Sequence, residues 1–151
     1  MTPLRVAAIL TALTASTALA QTAGRGAPSQ QQVQAPTARQ EKIFPLGATW
    51  IAVSLNGRTF SGERPSFSLD QQYRARGFGG CNTYSATAYP LRNQGLAVGP
   101  LALTKKACDK GVMATEQAFL VALRTSAQWD INGSTLIIKT QNGELRFERA
   151  L

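Results

Sequence analysis

Apolar and polar residues alternate along most of the chain from residue 48 onward, and one stretch alone keeps a helical spacing. ATWIAVSLNGRTF reads as a strand, an Asn56-Gly57 turn and a short second strand. PSFSLD places Phe67 and Leu69 on one face. QYRARGF turns Tyr73 and Ala75 one way and Arg74 and Arg76 the other. Further strands are expected at Asn82–Tyr89 and Gly95–Leu103. Two more Asn-Gly pairs, Asn132-Gly133 and Asn142-Gly143, divide AQWDI, STLIIKT and ELRFER into an antiparallel meander. VMATEQAFLVALRTSA instead repeats apolar residues at Val112, Phe119 and Leu123, joined by Met113, Ala114 and Leu120. Asp109 precedes this helix as a cap, and Arg124 near its end suits the dipole. The pattern predicts an α+β fold: a small, mostly antiparallel curved β-sheet, barrel-like and partly open, with one packed α-helix carrying Phe119 and Leu123 into the core. No internal repeat of fixed period is found.

The first 40 residues do not share this pattern. MTPLRVAAILTALTASTALAQ has Arg5, then an apolar run, then Ala18-Leu19-Ala20, the small-x-small form of a signal-peptidase site. The run is too short and too rich in Ala and Thr to span a membrane. Residues 1–20 are therefore expected to be a signal peptide cleaved after Ala20. No cysteine lies near the cut, so a lipoprotein is not expected. Residues 21–40 hold one large aliphatic, Val33, and no aromatic, too little apolar surface to offset ordering entropy. They read as a disordered linker before a domain at 41–151. The location implied is periplasmic or secreted, with no membrane-spanning segment after cleavage. In an oxidising compartment the two cysteines, Cys81 and Cys108, are expected to form a disulfide.

GFGGCN at 77–82 lacks the third glycine of a dinucleotide fingerprint, because Asn82 stands there, and no Gly-Lys-Ser/Thr follows. Gly77, Gly79 and Gly80 read instead as a bend in a strand that positions Cys81 and Asn82. The chain has no histidine, which excludes Ser-His-Asp and Cys-His arrangements. Its acids are scattered, and no S-x-x-K occurs. No enzyme activity, cofactor or metal is expected. The net charge is +8, one less without Arg5. Arg74, Arg76, Lys105 and Lys106, with Tyr84, form an expected binding surface. An exported protein seldom meets nucleic acid, so this basic surface faces lipid headgroups or anionic cell-wall polymers, or is a solubilising charge excess.

GFGGCN at 77–82, LTKKAC at 103–108, EQAFLVAL at 116–123 and NGSTLIIKTQNGELRF at 132–147, after LGATWIAVSLNG at 46–57, together resemble the META, or HslJ-like, domain. The resemblance covers residues 46–149. It implies a compact antiparallel β fold with a packed helix, no known catalytic residues, and membership of a group of small bacterial envelope proteins whose name-giving member is tied to heat shock and novobiocin resistance. Three positions depart from the pattern. Lys106 stands where methionine is common, Ala86 replaces a glycine, and Tyr89 comes one residue late. The reading of function that follows is a non-catalytic, monomeric envelope protein, an accessory or stress and drug-tolerance factor. It binds an unidentified envelope protein or an apolar or anionic envelope ligand. The alternative is a secreted inhibitor of a protease or other hydrolase, with YPLRNQG at 89–95 as its loop.

Overall fold

The computed structural model describes residues 41–151. The expected signal peptide and linker lie outside these residues. The described chain forms β1 (Thr49–Leu55), β2 (Arg58–Thr59), β3 (Ser66–Leu69), β4 (Arg74–Phe78), β5 (Thr83–Leu91), β6 (Gly95–Val98), β7 (Ala102–Leu103), α1 (Lys110–Arg124), β8 (Ser126–Asn132), β9 (Thr135–Thr140) and β10 (Gly143–Arg149).

Most of the strands bury alternate residues. In β1 these are Trp50, Ala52 and Ser54, in β3 Phe67 and Leu69, and in β10 Leu145 and Phe147. One buried and one wet face is what an antiparallel sheet needs in order to wrap a core. The curved, barrel-like sheet expected to be partly open is closed. β1 pairs with β3 on one side and with β10 on the other, so eight strands run round a full ring in the order β1, β3, β4, β5, β6, β8, β9, β10. Closure removes the free edges of an open sheet. A bulge between Ala52 and Ser54 bends β1 at this junction. The seam between β6 and β8 is the slightest of the ring, joined in register only at Gly95 and Gln128. β2 and β7 lie off the ring, paired to β1 and β5.

The stretch read as one strand over Gly95–Leu103 is two, β6 and β7, broken at Gly99-Pro100. Proline removes a ladder donor, and a Cβ at Gly99 would stand 3.2 Å from the Thr87 carbonyl oxygen. The last two hairpin loops also shift by one residue. They fall at 133–134 and 141–142, because Asn132 pairs with Thr135 and Gly143 with Thr140. Asn56-Gly57 turns where expected, with both residues at positive φ. Tyr73 does not face inward beside Ala75. It precedes β4 in a turn, at φ 59, with its side chain exposed against Tyr89.

Phe119 and Leu123 are fully buried, as the helical stripe predicts, and they share one core with Trp50 and Leu136. The Phe119 ring lies 6.2 Å from Phe60, 6.0 Å from Tyr84 and 6.2 Å from Phe147, centroid to centroid. The stripe does not extend to the first turns of α1. Val112, Met113 and Ala114 are exposed there, and Glu116 takes the buried position instead. Asp109 occupies the N-cap but makes no side-chain capping bond; its backbone carbonyl accepts from the Met113 amide.

Candidate functional site

Two loops and α1 meet around one buried carboxylate. Glu116 Oε2 accepts hydrogen bonds from the backbone N–H of Cys81 at 2.9 Å and of Asn82 at 2.5 Å, and Oε1 accepts from the Asn82 side-chain amide at 2.8 Å. Burial pushes the carboxyl up, but the Asn82 backbone and side-chain donors and the Cys81 amide outweigh it and hold Glu116 below its ordinary value. It is an ionised anchor, already filled by donors. Sequence reasoning missed it, although Glu116, Phe119 and Leu123 stand at i, i+3 and i+7 on one helix face.

The glycines answer to this anchor. A Cβ on Gly79 would stand 2.7 Å from Glu116 Oε2, and Gly80 sits at φ +122, where side chains are strained. A Cβ on Gly77 would run into the Ser66 carbonyl oxygen. That oxygen accepts the Tyr84 hydroxyl at 2.7 Å. Tyr84 is thereby a core residue and not part of a surface: it is 3 % exposed, and burial pushes its phenol well up, so it stays a neutral donor. Phenols are buried in this way when the hydroxyl finds an acceptor.

Asn82 carries the anchor across to the segment after β7. Its side-chain oxygen accepts from Lys106 N at 2.7 Å and from the Thr104 hydroxyl at 2.9 Å. The expected disulfide is present, Cys81 to Cys108, with Cα atoms 6.1 Å apart. Residues 103–108 are thus held at both ends, while the helix opposite is fixed through Glu116.

Between α1 and the segment 101–106 runs an open groove with a volume of about 690 Å³. Its walls are Leu101 and Leu103 on one side and Met113, Leu120 and Val121 on the other. Leu103 is 41 % exposed, Met113 37 % and Val121 50 %, so three of the large apolar side chains open to water converge here. Lys105, Lys106 and Arg124 also line it. Arg124 Nη1 donates to the Val98 carbonyl at 2.6 Å, which holds the guanidinium at the end of β6. Among the described residues neither lysine forms an ion pair. Glu116 is the one acidic residue of the lining, and its oxygens are occupied by the Cys81 and Asn82 donors.

The expected binding surface therefore divides. Lys105 and Lys106 reach the groove. Arg74 and Arg76 lie on the outer face of β4, away from it, and Arg74 is paired with Asp70 at 2.9 Å.

The family sequence pattern described as the META domain matches residues 43–150. This chain belongs to the META domain family. No curated protein matches it. Two solved structures share the fold. One, an NMR structure of a protein from Burkholderia xenovorans, has a TM-score of 0.58 at 22% identity and covers 77% of this chain and 98% of that one. The other, also by NMR, has a TM-score of 0.56 at 22% identity and covers 67% of this chain and 87% of that one. At this identity the likeness speaks for the fold alone. Residues 77–82, 103–108 and 116–123, three of the five segments that carry the family resemblance, build the Glu116 anchor and contribute to both walls of the groove.

Proposed function

We propose that this META domain protein is an exported, non-catalytic envelope protein that works by binding, as an accessory or stress and drug-tolerance factor, and that the groove between α1 and residues 101–106 is its contact site. The observation carrying the proposal is the convergence of exposed Leu103, Met113 and Val121 beside lysines that form no ion pair among the described residues, on a frame held by the disulfide and the buried Glu116. A monomer gains nothing in stability from leaving such side chains wet, whereas a binding site needs them. Val121→Glu introduces a charge at a half-exposed helix position and leaves the core untouched. Mature protein and this variant, each used as bait in envelope extract, test the reading. Material retained by the first and lost by the second supports it; identical material on both contradicts it.

A second reading, a hydrolase inhibitor, draws on the hairpin of β5 and β6, whose arm exposes Tyr89 and Leu91 before a turn with Asn93 and Gln94 at positive φ. A protease panel separates the two: inhibition abolished by Leu91→Ala but kept in Val121→Glu would favour the hairpin.

A further inference from the structure

Resting on the groove as the binding site, we infer that its occupant is a single-chain anionic amphiphile, a long-chain carboxylate, with the acyl chain between Leu103 and the Met113–Val121 face of α1 and the anionic head at Lys105 and Lys106. Three features narrow the chemistry. The walls are aliphatic, with no aromatic side chain in the lining, so the site offers no stacking platform for a sugar or a base. Its volume of about 690 Å³ falls within the range of small-molecule sites. The charge at the mouth is one-sided. Lys105, Lys106 and Arg124 stand against one carboxylate, Glu116, whose oxygens already accept the Cys81 and Asn82 donors. An anion is attracted there and a cation repelled.

The groove is a slot between two walls rather than a convex apolar surface, and this geometry separates a detached chain from a bilayer. A bilayer surface would meet lysines and outward-facing arginines such as Arg76 together, whereas a single chain needs only the slot. The walls are also held at a set spacing. Asn82 fixes Lys106, and Glu116 fixes Asn82 to the helix, so the slot is largely formed before the ligand arrives.

The test uses the oxidised, purified protein and a series of saturated carboxylates from octanoate to hexadecanoate, each below its micelle concentration, read by calorimetry. Affinity is expected to rise roughly fourfold per added methylene until the slot is full, then level off. The uncharged alcohol of equal length should bind about threefold to tenfold more weakly at low salt, and that gap should close in the double variant Lys105→Ala, Lys106→Ala. Val121→Glu and Leu103→Glu, both at exposed positions, should abolish binding while keeping the β-sheet circular dichroism. Binding that ignores chain length, equal binding of alcohol and carboxylate in the wild type, or binding only to anionic vesicles would overturn the inference. If no carboxylate binds but the groove-dependent capture from envelope extract persists, the groove stands and this ligand class falls.

Discussion

Glu116→Gln is the perturbation from which most can be read, because it alters charge with little change of shape. In the wild type the carboxylate accepts three hydrogen bonds, two from backbone amides and one from Asn82. A bond to a charged group contributes about 1.5–3 kcal/mol and a neutral one roughly half of that. The glutamine amide can present its oxygen to Cys81 and Asn82 N–H, or to the Asn82 side chain, but not to both. The better choice keeps two neutral bonds and sets one donor against another. Relief from burying a carboxylate offsets part of the loss. The expected net cost is about 2–4 kcal/mol, against a total of about 5–15 kcal/mol for such a domain. With a urea m-value of about 1.5 kcal/mol/M, the unfolding midpoint should fall by roughly 1.3–2.7 M. The sign with pH is fixed by the lowered carboxyl. A group whose folded pKa lies below its unfolded value of about 4.3 stabilises fully above that value and loses the effect as pH falls through the folded pKa. The gap between wild type and variant should therefore be widest near neutrality and shrink in acid below about pH 4. A variant within about 0.5 kcal/mol of wild type at pH 7, or a gap that grows in acid, would refute the anchor.

Four further outcomes follow from the same geometry and one from the sequence. Phe119→Ala should cost about 3–5 kcal/mol by equilibrium unfolding, since the side chain is fully buried among Phe60, Tyr84 and Phe147. Reducing the Cys81–Cys108 bond, with 27 residues of separation, should cost roughly 3.5 kcal/mol. Thiol labelling of the native, unreduced protein should find no free thiol. Gly77→Ala should fail to accumulate as folded protein, because the new methyl meets the Ser66 backbone oxygen and a strand must move to admit it. N-terminal sequencing of the protein recovered from the producing cells should begin at Gln21, and a chain starting at Met1 would exclude cleavage after Ala20.

Most of the strands, α1 and its buried Phe119 and Leu123 are legible in the sequence, because each follows from alternation or helical spacing within a few residues. Ring closure is not. It depends on β1 meeting β10, whose partners such as Ala52 and Phe147 lie far apart in the chain. Tyr84 misleads because a phenol beside basic residues looks like surface, and only the Ser66 carbonyl, 18 residues away, explains its burial. Glu116 is overlooked for the same reason in reverse. A carboxylate is ordinarily solvated, and the amides that pay for its burial come from Cys81 and Asn82, 35 and 34 positions earlier. The crowded glycines at 77–80 are expected to bend a strand, whereas residues 79–82 close the hairpin of β4 and β5, where Phe78 pairs with Thr83, and part of the room the glycines leave belongs to Glu116. Half of the basic surface is misplaced because alternation assigns a face to Arg74 and Arg76 without telling which face borders a groove.

The slot between α1 and residues 101–106 is proposed as the place where this META domain meets its ligand or partner. Site-specific photocrosslinking in the producing cell tests it most directly. A photoreactive residue replaces Val121 in the groove in one strain and Arg76 on the outer face of β4 in another. Adducts are expected from position 121 and none above background from position 76. Adducts from position 76 alone, or equally from both, would contradict it.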